Sequence, residues 1–388
     1  MRHEWTSEAV TRGHPDKLCD QVADAILDAC LRGDPQSSVV CKVTACAQKL
    51  HIMGEINSKS CIDCESIARD VIRSAGYVSP DDSFDAEHCR IVTDVHAPSP
   101  DVDWNSSHRS QEDLGARDHG IVEGFACRDT SVLMPLPITL AQRLARQMYR
   151  ARIEQHISNL LPDGCAQITV EYEEDHPVRI SNVVISLQHA PTWDTEALRE
   201  EIIQKVILPS LPEQLVDKNT LIYVNPTGRF IQGGPAAMSG LSGRKMASDT
   251  YGGIIFQGSG AFSGKDPTRM ERSGAYLARY LAKNIVAAGL ADQCRVQLAY
   301  AMGMVDPVSL SIRGVGPELH DRLMAWIKSH IDMRPQAVIR RFGLTRPIYS
   351  RLSCYGHFGE NAQYMDWEQT DLAAELQKAM ERMGHYEC

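Results

Sequence analysis

Between Leu18 and Ala29 the apolar residues Leu18, Val22, Ala25, Ile26 and Ala29 recur every three or four positions, while Asp20, Asp24 and Asp28 fall between them. That is the spacing of a helix that buries one stripe and sets its carboxylates on the other faces. Pro15 lands in the first turn, where a missing N–H costs nothing, and the run Arg32-Gly33-Asp34-Pro35 supplies the stop. The same period predicts helices over 61–75, 137–160, 194–206, 267–288 and 317–330. Residues 37–46 and 49–56, rich in Val and Ile with partial alternation, read as paired strands, and further strands are expected at 167–172, 178–187, 220–224 and 296–302. Strands and helices intermix without the strict alternation of a doubly wound parallel sheet, which makes the fold class α+β.

Composition narrows the function classes. A chain of 388 residues is long enough for two or three domains with a large core, and 43% hydrophobic and 23% charged residues are ordinary for a globular protein. No apolar run approaches membrane-spanning length and no charged-then-apolar leader opens the chain, so the expected location is cytoplasmic. A net charge of −10 argues against a nucleic acid or an anionic membrane as partner. Of the twelve cysteines only Cys61 and Cys64 form a C-x-x-C pair, and no second pair completes a zinc site; most are expected to be buried.

Two clusters carry the candidate chemistry. The first, "TRGHPDKLCD", puts His14, Asp16 and Lys17 at the start of the first helix, where free N–H groups and the helix dipole favour an anion. Simple capping by Asp16 is the alternative reading of those ten residues. The second lies in the glycine-dense stretch 233–267, which plants Arg244, Lys245, Lys265 and Asp266 in loops that bring backbone close to a ligand. It is not a Walker A loop: Ser259 stands where the first Gly belongs and Asp266 where the Ser or Thr belongs. Asp266-Pro267 reads as a capping Asp and a first-turn Pro, placing Lys265, Arg269 and Glu271 at a second helix start. Two such helix starts suit a polyphosphate with its magnesium.

With these clusters in hand the chain resembles the S-adenosylmethionine synthetase family. The motifs are "TSEAVTRGHPDKLCDQVADAILDA", "GEI", "VLMPLPITLAQRL", "NPTGRFIQGGP", "SGRK", "DTYGG", "GAFSGKDP", "RYLAKNIVAAGLAD" and "YGHFG", spread from Thr6 to Gly359. The resemblance implies three similar interleaved α/β subdomains, expected at 1–12 plus 129–233, 13–101 plus 234–273, and 102–128 plus 274–388. It also implies homodimers with shared active sites, possibly paired into tetramers. The implied reaction joins the methionine sulfur to C5' of ATP, expels tripolyphosphate, and cleaves that to pyrophosphate and phosphate. By resemblance His14 stabilises the leaving oxygen, Asp16 and Glu271 hold Mg2+, and Lys17, Arg244, Lys245 and Lys265 act on the phosphates. Phe230, Asp118, Asp163 and Ala261 would border the ATP site.

The departures from the family pattern fall in that site. The hexapeptide GAGDQG reads "GARDHG" here, which introduces Arg117 and His119, and a Lys near the phosphates is Cys165. Lys42 replaces a Glu that binds a monovalent cation, so a built-in ammonium standing in for potassium, and activity without potassium, are expected. In the pocket for the nucleophile Glu55 remains, but a Gln is Pro98, an Asp is Met238 and a Lys is Arg269. Each charged hydrogen bond lost there is worth about 1.5–3 kcal/mol. Three functions follow: a methionine-specific synthetase with a rebuilt pocket, a paralogue that adenosylates another nucleophile in a specialised pathway, and a non-catalytic ATP-binding or regulatory homologue. Retention of His14, Asp16, Lys17, Arg244, Lys245 and Lys265 disfavours the last.

Overall fold

A computed structural model describes residues 2–79, 84–99, 114–192 and 194–384. In chain order its elements are β1 (Arg2–Val10), α1 (Pro15–Gly33), β2 (Ser38–Cys46), β3 (Lys49–Asn57), α2 (Cys64–Ala75), β4 (Arg90–His96) and β5 (Gly120–Cys127). Then come α3 (Leu136–Ile153), β6 (Leu160–Glu173), β7 (His176–His189), α4 (Thr195–Ile202), β8 (Leu221–Val224), β9 (Gly240–Leu241) and α5 (Met246–Asp249). The chain continues through α6 (Met270–Ala287), β10 (Gln293–Tyr300), β11 (Ser309–Arg313), α7 (Pro317–His330), α8 (Pro335–Arg341) and α9 (Ala373–Gly384). The intermixed α+β class is as expected.

Alternation in β2 explains the sheet that matters most for the site. Val39, Cys41, Val43 and Ala45 are buried while Lys42 and Cys46 are exposed, as a strand with one covered face requires. Antiparallel β3 flanks it on one side, with β4 parallel to β3, and β9 lies on its other edge, giving the order β4-β3-β2-β9. Two further sheets have the orders β1-β6-β7-β8 and β11-β10-β5, so each sheet takes strands from separated parts of the chain. One hydrophobic core lies between the β1-β6-β7-β8 sheet and α3 and α4. A second, larger core joins α1, α2 and α6 to the other two sheets. Gly124 lets α6 lie directly on β5: a Cβ there would sit 2.0 Å from the Ala278 carbonyl. Arg279 of α6, fully buried, donates to the Phe125, Val132 and Leu133 carbonyls and to Glu368.

Several expectations need correction. The helix expected over 137–160 ends at Ile153, and Leu160 already opens β6; the helix over 194–206 becomes a π turn after Ile202. The helix expected from 267 starts at Met270. Asp266 does not cap it; its carboxylate accepts from Val39 N at 2.8 Å and Thr268 N at 2.8 Å, fixing the loop against β2. The expected domain edge at 101–102 lies outside the described residues.

The polar faces of α1 are buried as well. Asp20, Asp24 and Asp28 do not face solvent; they are 0%, 0% and 4% exposed. With Asp16 they form an i, i+4 series along one face, and each carboxylate accepts from loop backbone. Asp16 takes Leu241 N at 3.0 Å, Asp20 takes Gly243 N at 2.7 Å and Asp24 takes Gly264 N at 2.8 Å. Asp28 takes Tyr349 N at 2.9 Å and Ser350 N at 2.8 Å. Asp24 also receives the Arg272 guanidinium at 2.7 and 2.9 Å, with both side chains fully buried. Removing one partner of such a pair strands the other charge. We therefore expect Asp24→Asn to lower the unfolding free energy by about 3–5 kcal/mol in urea titrations, and an Asp24→Leu/Arg272→Met double variant to recover much of that loss.

Candidate active site

His14 is the N-cap of α1, and its Nδ1 accepts the Asp16 N–H at 3.2 Å. The ring is buried, which together with Lys245, Lys17 and Arg244 pushes its pKa down to about 3. It is therefore neutral near pH 7 with the proton on Nε2, a hydrogen-bond donor in a field of cations. One oxygen of Asp16 is taken by Leu241 N, which leaves the other without a protein partner among the described residues.

Lys17, expected to add to the phosphate field, is buried. Its ammonium is 1% exposed, 2.9 Å from Asp20 and paired with Asp249. Burial alone would lower its pKa, but Asp20 and Asp249 outweigh that and keep it protonated. So Lys17 is spent on two buried carboxylates and does not reach toward a ligand; it fixes α1 to α5 and contributes only its field at His14. The sequence held the signal for Asp20, three residues on from Lys17, and for Asp249 in "DTYGG", but not that they would meet.

Arg244, exposed, and Lys245, at the start of α5, line a cavity of about 210 Å3 together with Glu8 and Gln167. Glu8, missed in the sequence reading, holds the Lys245 ammonium at 2.7 Å. Cys165 on β6 lies beside both: burial and the Glu8 charge push its thiol up to about 12, against the pull of Lys245, so it is a neutral thiol where the family pattern has a cation. Asp163 borders the same region. Its carboxylate accepts Gly234 N at 2.8 Å, and burial pushes its pKa up to about 6, with the Asp16 charge adding. Phe230 is half-buried and tied through His189, whose N–H it accepts at 2.9 Å.

A second group forms around Lys265, whose ammonium pairs with Glu271. Asp118, expected beside the nucleoside, caps α6, accepting Met270 N at 2.7 Å and Glu271 N at 3.3 Å. Its pKa is raised by burial, and the Glu271 charge adds to that. The Arg269 guanidinium donates to the Arg117 carbonyl at 2.7 Å. Ala261 stands between the two groups, on the loop facing Gly243. His119 is exposed, its Nδ1 accepting Met302 N at 3.4 Å.

Within one chain the two groups are separate. Leu241, next to the His14 group, pairs with Thr44 on β2, whereas Lys265 bridges to Val40 on the same edge. Four residues of strand put their backbones roughly 14 Å apart. Glu55 pairs with Val40 and His96, so it belongs to the Lys265 end, as do Arg269 and buried Pro98, which follows β4. Met238 is 50% exposed and held to Gly234 at the other end. Lys42 is exposed on the outer face of β2 with no ion pair among the described residues, so the chain by itself does not build it into a cation site. Among the described residues no three His, Cys, Asp or Glu side chains converge as a preformed metal cage. Magnesium seldom needs one: it is commonly held by one or two carboxylates plus substrate phosphates. Asp16, with an open oxygen, fits that use; Glu271 first has to leave Lys265. No helix of the described residues is long and apolar enough to cross a membrane.

Comparison with known families gives three matches along the chain: the N-terminal domain of S-adenosylmethionine synthetase over residues 2–100, its central domain over 113–230, and its C-terminal domain over 232–369.

Behind the site the His357 ring nitrogen Nδ1 lies 2.9 Å from the Tyr276 hydroxyl, and the His357 backbone N–H donates to the Asp249 carbonyl at 2.9 Å, holding α5. Burial, with Arg272 and Lys17, pushes its pKa well below the ordinary 6.5. A histidine kept neutral when folded takes up a proton only on unfolding, so its contribution is full above about pH 6.5 and lost as the pH falls below it. Asp163 acts with the opposite sign, since the folded state retains its proton up to about pH 6. We expect His357→Phe to flatten the acid limb of stability by up to about 1.4 kcal/mol per pH unit, read from urea midpoints between neutrality and about pH 4.

Proposed function

The chain belongs to the S-adenosylmethionine synthetase family, and from that premise we propose that it forms S-adenosylmethionine from ATP and L-methionine. The thioether sulfur attacks C5' of ATP, a sulfur–carbon bond forms as the C5'–O bond breaks, and the electron pair leaves on tripolyphosphate, which is then hydrolysed to pyrophosphate and phosphate. The observation that carries this reading is His14: a neutral imidazole with Nε2–H free to donate, set among Lys245, Lys17 and Arg244. An in-line displacement needs a positioned nucleophile and stabilisation of charge developing on the departing oxygen, and little covalent help. A donor that stays neutral meets that need without proton transfer.

Arg244 and Lys245 would grip the phosphates, with Glu8 holding Lys245 in place until they arrive. Lys265 would join them once Glu271 turns from it toward magnesium. Magnesium bound at Asp16 would neutralise phosphate charge. The offset along β2 between Leu241 and Lys265, roughly 14 Å of backbone, supports assembly of each complete site from two copies of the chain, the His14 group of one facing the Lys265 group of the other. Leu241, Met238, Phe256 and Met302, all 40% exposed or more, leave apolar surface for that contact. A location in the cytoplasm agrees with this substrate set.

A second reading, adenosylation of a different nucleophile, is favoured by the pocket residues alone. Met238 has no charge to offer an α-ammonium, Pro98 has no donor, and Arg269 is turned to the Arg117 carbonyl. Mass-spectrometric incubation with ATP, magnesium and L-methionine separates the two. S-adenosylmethionine is expected; its absence, with another thioether consumed in its place, would establish the second reading.

His14→Ala should lower kcat by about 10²–10³-fold while leaving ATP affinity nearly unchanged, the pattern of a donor used only in the transition state. Cys165→Lys should speed tripolyphosphate hydrolysis on the order of ten-fold, the worth of one charge contact.

A further inference from the structure

Fully buried guanidiniums in this protein meet carboxylates: Arg272 has Asp24 and Arg279 has Glu368. A group of half-buried ones does not. Arg12, on the turn between β1 and α1, and Arg146 and Arg152 of α3 find only neutral partners among the described residues. Arg12 donates through Nε to Gln21 at 2.8 Å, Arg152 through Nη2 to the Ala75 carbonyl at 2.8 Å, and Arg146 through Nη2 to Asn361 at 3.4 Å. The nearby carboxylate, Glu360, is already held by Arg143 at 2.5 Å.

Two aromatic rings gather these cations. The Arg12 and Arg152 guanidiniums lie 5.4 and 5.6 Å from the centre of the Tyr149 ring, and that of Arg146 lies 5.5 Å from the centre of Tyr355. A guanidinium stacked on a ring keeps its N–H edge open, and that edge takes an oxyanion through two parallel hydrogen bonds. Arg152 is fixed further by the backbone of Gly76 after α2, where a Cβ would lie 2.0 Å from Nη1. The Tyr355 hydroxyl, buried in the field of Arg12 and Arg146, has no hydrogen-bond partner among the described residues. Burial lowers the pKa of Arg146 and Arg152, and Arg150, four residues beyond Arg146 on the same helix, repels it. A dianion among them would satisfy the open donors and offset the excess charge at once.

We propose that Arg12, Arg146, Arg152 and the Tyr355 hydroxyl form a binding site for a phosphate-class oxyanion, inorganic pyrophosphate or phosphate, separate from the adenosyl-transfer site. None of the four bonds to His14, Asp16, Arg244 or Lys245. The site is nevertheless joined to α1. Gln21 donates Nε2 to the Arg12 carbonyl at 2.7 Å and to the Lys17 carbonyl at 2.9 Å, so an anion held by Arg12 stiffens the segment that carries His14.

Inorganic pyrophosphate is the probe, titrated by calorimetry onto the intact protein at constant ionic strength, with magnesium and a non-hydrolysable ATP analogue saturating so that the adenosyl-transfer site is filled. One saturable site per chain is expected. Arg12→Gln and Arg152→Gln should each weaken it about ten-fold or more, the worth of one charge-assisted hydrogen bond. Tyr355→Phe should weaken it about three-fold or more and leave the melting temperature without pyrophosphate unchanged, because the hydroxyl it removes bonds to no protein group. A parallel titration with phosphate identifies the occupant as whichever ion binds more tightly. Thermal melting shows which variants have folded, and two independent arginine variants guard against the failure of one. Absence of a saturable site, displacement of pyrophosphate by the ATP analogue, or equal affinity in all folded variants would overturn the proposal.

Discussion

Four carboxylates buried along one helix are the constraint on which the rest of the molecule depends. Asp16, Asp20, Asp24 and Asp28 succeed one another at four-residue spacing on α1, and each accepts a main-chain N–H from a distant loop. Burying carboxylates is costly unless each is paired or hydrogen-bonded. That cost is offset locally: Lys17 serves Asp20, Arg272 serves Asp24, and the Ser350 hydroxyl joins the two N–H groups at Asp28. The helix is thus a rod with four attachment points, and the loops that carry Arg244, Lys245 and Lys265 hang from the first three.

The same arrangement sets the electrostatics at His14. Because Lys17 has Asp20 and Asp249 as counter-charges, it stays protonated in a place where burial would otherwise neutralise it. Burial first, then Lys245, that fixed charge and Arg244, keep His14 neutral. Gly264, at φ +73°, takes a conformation that L side chains rarely adopt, and a Cβ there would lie 2.0 Å from the Cys41 carbonyl; the loop can therefore present its N–H to Asp24 and its carbonyl to β2 at once. Arg272 repeats the double contact, bonding Asp24 and the Lys265 carbonyl.

What could be read from the sequence was what local periodicity records. The apolar stripe of α1, the alternation of β2 and β3 and the boundaries of α7 follow from side-chain spacing alone. β1 did not, because its first residues, Arg2 to Thr6, are exposed or half-buried without a regular apolar alternation. The Asp residues of α1 were legible as a polar face but not as a buried one: a carboxylate bonded to loop backbone and one facing water have the same spacing. The cap of α6 misled for a similar reason. Asp266-Pro267 has the local form of a helix start, yet Asp118, far away in the chain, supplies the cap while Asp266 serves β2. Glu8 and Asp249 both stand inside motifs the sequence displays, but their partners, Lys245 and Lys17, are set by contacts across the fold and needed the structure.

The carboxylates of α1 grip backbone amides, and every residue but proline carries one. A loop held in this way keeps its path whichever side chains its exposed positions bear, so substitutions there are filtered mainly by chemistry, while Gly264 and buried Tyr251 stay fixed by the space around them. Positions such as Met238 could therefore drift to new residues while the main-chain frame stayed in place. Rigid attachment of the backbone gives a lineage latitude to vary its substrate, and the ladder on α1 is as much a source of that evolvability as of stability.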